Sequence, residues 1–171
     1  MGIVNEAKLK DEVTSTLRVQ CAKRASTIAL TLEEAKKEGL DESHARRAIF
    51  RYGQAIGDDI KASMKDPADL VEFASMFGVG LDRNIYEMEN VASDQDRLSI
   101  RFHYCPYVAQ WHKMGKNPAE IDTLCDIAMD GDRGIGSRFE AFKFTLGKTI
   151  AQGNPVCEVD FHRVGVKDAK R

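Results

Sequence analysis

The sequence contains no apolar run approaching the ~18 residues of a membrane-crossing helix, so no helical span is expected. Neither sign of charge dominates. The 25 Lys and Arg and 27 Asp and Glu give a formal charge of -2, which offers no global attraction to nucleic acid or an anionic membrane. The opening MGIVNEAKLKDE is too acidic and too interrupted for a secretory signal. Cysteine is sparse, with 4 widely spaced residues, so reduced thiols in the cytoplasm are expected rather than a disulfide framework. No repeat, low-complexity tract or linker divides the chain. What is present, 43% hydrophobic and 30% charged residues over 171 positions, suits one globular domain, 1–171, able to bury roughly 70% of its extended surface.

The first part, 1–80, reads as helical. Val13, Leu17, Cys21, Ala25, Ile28, Leu32 and Ala35 recur at three-to-four spacing and form one apolar stripe, stopped near Gly39. Asp41 is the expected cap of a second helix that buries Ala45, Ile49, Tyr52, Ile56, Ile60 and Met64. Asp66-Pro67 starts a short third helix ending near Gly78.

The character changes over 81–166. Segments 85–91 and 97–105 flank the turn Ser93-Asp94-Gln95-Asp96 and predict an antiparallel pair. In the second segment Leu98, Ile100, Phe102 and Tyr104 share one face, opposite Ser99, Arg101, His103 and Cys105. Pro106 opens a helix through Met114, and Asn117-Pro118 opens another carrying Ile121, Leu124, Cys125 and Met129. The stretch 130–137 is glycine-rich and predicts a break, read as a flexible loop over a site. Phe142, Phe144 and Leu146 alternate as in a strand, with a helix as the alternative. Gly153-Asn154 turns into a last strand, 156–164, and the charged tail 167–171 is expected to fray. The fold class is α+β: N-terminal helices, then a small, mostly antiparallel sheet with inserted helices.

Cys105 is the most informative residue. Pro106 places it at a helix N-terminus, where free N–H groups favour an anion. A drop of about one and a half units from ~8.5 would leave roughly half the thiol ionised at neutral pH. His103 is placed to serve as a base or polar partner. A small buried hydrophobe at a strand–helix corner is the equal alternative. Cys125 and Cys157 lie on apolar faces and read first as core, as does Cys21. Arg101 shares the face of Cys105 and could clamp a carboxylate, against a plain pairing with Glu87 or Glu89. Trp111 and His112 read first as packing and a satisfied hydrogen bond, then as pocket lining.

A metal site would draw on His103, Cys105, His112, Cys125, Asp130 and Cys157, yet there is no C-x-x-C, H-E-x-x-H or H-x-H. The cofactor expectation is therefore none, or one divalent metal ion. Asp130-Gly131-Asp132 opens like a calcium loop, but Ile135 stands at the glycine position and Ala141 at the twelfth. The glycines of 131–136 follow a helix, unlike a dinucleotide fingerprint. There is no G-x-S-x-G and no P-loop.

The ordered set Cys105-Pro106-Tyr107, Lys113-x-Gly115, Leu124-Cys125 with Asp130 following, Thr149-x-Ala151-x-Gly153, and Cys157 with Asp160-Phe161 resembles the L-2-amino-thiazoline-4-carboxylic acid hydrolase family. The resemblance runs from Tyr86 to His162. It implies hydrolytic opening of a cyclic amidine, with the thiazoline ring taking up water to give N-carbamoyl-L-cysteine. It implies catalytic roles for Cys105, His103 and Asp130, by thiolate or metal-bound water attack. Substrate contacts are then expected from Arg101, Tyr107, Trp111, His112, Lys113, Cys125 and Cys157. The partner implied is a small-molecule substrate, with neither nucleic acid nor membrane, and a homo-oligomer left open. The competing reading is a non-catalytic small-molecule or metal-binding sensor domain of the four-vinyl-reductase type.

Overall fold

The structure, a computed structural model, describes residues 2–165; the tail expectation for 167–171 lies outside the described residues. After an irregular segment 2–11, α1 (Glu12–Lys37) and α2 (Ser43–Ser63) are followed by short α3 (Leu70–Ala74) and α4 (Leu81–Tyr86). A hairpin of β1 (Met88–Ser93) and β2 (Arg97–Phe102) leads to α5 (Pro106–Lys113), α6 (Pro118–Ala128) and α7 (Asp130–Gly136). The chain closes with β3 (Phe142–Leu146), a single 3-10 turn (Ile150–Gln152) and β4 (Cys157–Arg163). The sheet order is β1-β2-β4-β3, antiparallel throughout. The α+β class and the antiparallel sheet agree with the sequence reading. Among the described residues no helix is long and apolar enough to cross a membrane.

One buried cluster joins α1 through Ala25 and Ala29 to the sheet through Leu98, Ile100, Val159 and Phe161. Its densest part is aromatic: the Phe73 ring lies 4.8–5.3 Å from those of Phe77, Phe139, Phe142 and Phe161. Edge and tilted contacts of this kind add about 0.5–1.5 kcal/mol per pair beyond area burial. Helix starts follow local chemistry. Asn117 and Glu120 form a capping box at α6, and Asp69, rather than Asp66, caps α3 through the N–H groups of Val71 and Glu72. Asp41 accepts from Ser43 N at 3.0 Å, although the cap position of α2 is Glu42.

Several expectations are corrected. Ile85 and Tyr86 end helix α4, not a strand; Glu87 then takes a left-handed backbone (φ 49°) that turns the chain into β1. Strand β2 stops at Phe102, so His103, Tyr104 and Cys105 lie in the turn to α5. The buried face of α1 begins at Thr14 and Arg18, while Val13 is exposed. Tyr52 is also exposed, and α2 buries Gly53 and Gly57 instead.

The largest correction concerns 130–137, which is helix α7 and not a flexible loop. Three glycines in one short helix cost about 1 kcal/mol each in propensity. Gly134, with Gly53 of α2 facing it, permits a close backbone approach that offsets part of that cost. A Cβ on Gly53 would stand 1.9 Å from Gly131 O, and one on Gly134 would stand 2.2 Å from Phe50 O. Helices α2 and α7 accordingly make the most extensive packing of any two elements. Arg46 of α2 locks the arrangement, reaching Glu42 and Asp126 at 2.8 Å and Asp130 at 3.0 Å.

Candidate functional site

Cys105 occupies the cap position of α5 with extended backbone (φ -131°, ψ 110°), and Pro106 opens the helix. The side chain of Asn5 holds it from both sides: Nδ2 donates to Cys105 O at 2.8 Å, and Cys105 N donates to Asn5 Oδ1 at 2.9 Å. Glu87 ties down the same segment by accepting from Lys8 N and Leu9 N at 2.7 and 2.8 Å. Arg18 completes this hub. It donates to the carbonyls of Leu9, Asn84 and Ile85, pairs with Glu87 at 3.0 Å and lies over the Tyr104 ring at 4.4 Å.

The thiol of Cys105 is not ionised at rest. Burial pushes it up to about 11, outweighing the N–H groups of Val108 and Tyr107 that favour the thiolate. Of the two alternatives open from the sequence, desolvation favours the buried small hydrophobe over the half-ionised sulfur. Burial likewise pushes Cys157 up to about 12 and raises Cys125, with Cys105 adding to both and Cys157 adding to Cys125. Cys157 Sγ also accepts from Ile150 N at 3.3 Å.

Groups from five helices, Cys105's neighbours among them, are linked pairwise by electrostatic contact. Cys21 and Arg24 come from α1, Tyr52 from α2, Tyr86 from α4, Tyr107 from α5 and Asp132 from α7. Tyr86 is raised by burial first, then by Tyr107, Cys21, Cys105 and Asp132. Tyr107, pushed up to about 12 mainly by burial, senses Arg24, Cys21, Cys105 and Tyr52. Cys21, read as core, is half-buried and faces Tyr86 and Arg24. Both phenols thus stay protonated at neutral pH and can donate.

Asp132 differs from every neighbouring carboxylate. Asp126 and Asp130 are held by Arg133 at 2.5 and 2.6 Å and by Arg46. Asp132, half-buried two residues further on, makes no salt bridge among the described residues. Burial pushes its carboxyl up to about 6, with its own backbone N–H, Arg133 and Arg24 pulling the other way. A carboxyl poised near neutral pH with no structural partner suits acid–base work.

The residues singled out from the sequence separate in space. Cys105 and Tyr107 belong to this cluster. His103 instead pairs with Glu89 across the hairpin at 2.9 Å. Arg101 reaches Asp160 at 3.5 Å rather than Glu87 or Glu89, and Arg97 joins it at 3.2 Å. Burial works against charge on Asp160, but a hydrogen bond from buried Ser99 and the two arginines hold its carboxyl below the usual range. Trp111 is fully buried and its Nε1 donates to Ala25 O at 2.9 Å, the satisfied core role. His112 and Lys113 are exposed in the last turn of α5. Among the described residues no three His, Cys, Asp or Glu are grouped to hold a metal ion.

Sequence reading passed over Asp132, Arg24 and Tyr86. The available signal was the helical phase of 130–136, which separates Asp132 from Asp130 and Arg133 by about 200° and 100° around an α-helix.

The Asn5 clamp makes a testable point. Two hydrogen bonds of about 0.5–1.5 kcal/mol each hold segment 2–11 over Cys105. Asn5→Ala is expected to speed labelling of Cys105 by a thiol reagent about tenfold or more. Peptide mapping of the labelled site would check it, and unchanged labelling would remove the clamp from the account.

Compared with known proteins, residues 20–161 match the family model described as L-2-amino-thiazoline-4-carboxylic acid hydrolase. No curated protein and no solved structure matches.

Proposed function

The chain belongs to the L-2-amino-thiazoline-4-carboxylic acid hydrolase family, and from that premise we propose that it opens a small cyclic amidine acid by adding water to the C=N carbon. The observation that carries the reading is Asp132, a half-buried carboxyl near neutral pKa that makes no salt bridge among the described residues and lies within electrostatic reach of the protonated Tyr86 phenol. In 2-amino-thiazoline-4-carboxylate the ring carbon between nitrogen and sulfur becomes electrophilic once the ring nitrogen is protonated. Ionised Asp132 takes a proton from water as its oxygen bonds to that carbon. The carbon–sulfur bond then breaks, Asp132 returns the proton to the departing sulfur, and the added hydroxyl loses its proton to become the carbamoyl oxygen. The product is N-carbamoyl-L-cysteine. Tyr86 and Tyr107 supply donors for charge developing during attack.

A second reading keeps Cys105 as the nucleophile, and the N–H groups of Val108 and Tyr107 favour it by stabilising a thiolate. There the sulfur of Cys105 displaces the ring sulfur and water later displaces Cys105. The raised thiol and the engagement of His103 and Asp130 elsewhere weigh for direct water attack.

The test is incubation of the purified protein with L-2-amino-thiazoline-4-carboxylate, following new thiol and identifying the product by mass spectrometry. N-carbamoyl-L-cysteine is the expected product. Cys105→Ser is expected to retain turnover; its loss with the fold intact would favour the nucleophile reading. Binding without conversion would point to the sensor-domain alternative.

A further inference from the structure

The proposed substrate carries a carboxylate, and the two residues first assigned to hold it are poorly placed. Arg101 is engaged by Asp160, and Lys113 lies in the last turn of α5, at the end opposite Cys105. Arg24 is better placed. Its guanidinium carbon lies 4.6 Å over the Tyr52 ring, and among the described residues it makes no salt bridge. Other arginines near this part of the fold are committed: Arg18 to three carbonyls and Glu87, Arg46 and Arg133 to Asp126 and Asp130.

A guanidinium stacked over a ring keeps its N–H donors at its rim, available to a bidentate acceptor in its own plane. Arg24 sits one helical turn after Cys21 and within electrostatic reach of Asp132 and Tyr107, yet without a contact to Asp132 that would neutralise both. The pair presents one cation and one anion from α1 and α7. The substrate presents the complement, a carboxylate at one end and a protonated amidine at the other.

Resting on the functional reading above, we propose that Arg24, braced by Tyr52, is the carboxylate-recognition residue of the site, selecting cyclic amidines that bear an acid group. Asp132 faces the amidine end. Arg24 is then a specificity-determining residue and takes no part in proton transfer.

The test compares L-2-amino-thiazoline-4-carboxylate with carboxylate-free 2-amino-thiazoline, in the wild type and in Arg24→Gln and Arg24→Lys. Arg24→Gln is expected to raise KM for the acid by about tenfold or more while kcat stays within about threefold. The inhibition constant of the carboxylate-free compound is expected to stay unchanged, and Arg24→Lys to recover part of the loss. An acid KM within about twofold of wild type in Arg24→Gln would overturn the proposal. Equal weakening of both compounds would overturn it too, since that reports a structural role. Wild type that converts nothing would defeat the functional reading instead. Dissociation constants of the same two compounds, read by calorimetry, would then decide on Arg24 by the same criterion.

Discussion

Asp132→Asn is expected to lower kcat by about 10²–10⁴-fold, the usual worth of a positioned acid–base group. It is also expected to stabilise the fold at neutral pH, and the sign follows from linkage. The folded-state carboxyl titrates at about 6, above the ordinary value of 3.8, because burial disfavours its charge. The native state therefore holds that proton more tightly than the unfolded chain, and ionisation costs stability. The cost is full above about pH 6 and fades as pH falls towards 4. Asparagine removes it, so the variant should melt above wild type at pH 7–8, with the difference shrinking towards pH 4. Asp130→Asn should instead lower the melting temperature at pH 7, because Asp130 is held by Arg46 and Arg133 and its loss leaves Asp126 as the one carboxylate those two guanidinium groups share. Thermal melts at several pH values, run beside rate measurements, check both variants. A fall in melting temperature at pH 7 for Asp132→Asn would assign that carboxylate to the scaffold.

The second large effect falls on the interface of α2 and α7. Gly53→Ala should gain about 1 kcal/mol from helix propensity. The added Cβ, however, would lie 1.9 Å from Gly131 O and 2.7 Å from its carbon, atoms of a backbone that cannot step aside. Separating the helices would pull Asp130 from Arg46 and shift Asp132 away from α1. The net effect is a loss of about 2–4 kcal/mol, measurable by urea denaturation. Gly131→Ala is the internal control. Its Cβ would meet only Ile49 Cγ2, at an ordinary 3.8 Å, so it should be neutral or stabilising by up to about 1 kcal/mol. Equal losses at the two positions would show that helical glycine content, not close approach, governs this interface.

That interface also marks where the sequence misleads. Glycines 131, 134 and 136 are read locally as a break, since propensity argues against a helix. The deciding fact is a backbone surface on α2 made by Gly53 and Gly57, far away in sequence. Where the deciding chemistry is local, the reading holds: Pro106 starts α5, Asn117-Pro118 starts α6, and Gly153 turns (φ 83°) towards β4. Ile85 and Tyr86 suit a strand start by propensity, being β-branched and aromatic, yet they end helix α4. Arg18 overrides that preference by donating hydrogen bonds to the carbonyls of Asn84 and Ile85.

The site was legible only in part. Cys105 and Tyr107 are identified from the Cys-Pro-Tyr run, and both join the cluster. His103, Arg101 and Asp130 were grouped with them by alternation or by order along the chain. Each is instead engaged by a nearer partner: Glu89, Asp160, and Arg46 with Arg133. Arg24 and Asp132 could not be joined by spacing, because they lie on α1 and α7, far apart along the chain, and meet only through the tertiary fold.

The most direct test of the account is the pH dependence of kcat/KM for conversion of L-2-amino-thiazoline-4-carboxylate to N-carbamoyl-L-cysteine. This quantity reports groups of the free enzyme. The account predicts a rate that falls on the acid side with an apparent pKa near the value of about 6 at Asp132. That limb should persist in Asp130→Asn and Cys105→Ser and be absent from the residual activity of Asp132→Asn. An acid limb that survives in Asp132→Asn, with a rate close to wild type, would contradict it.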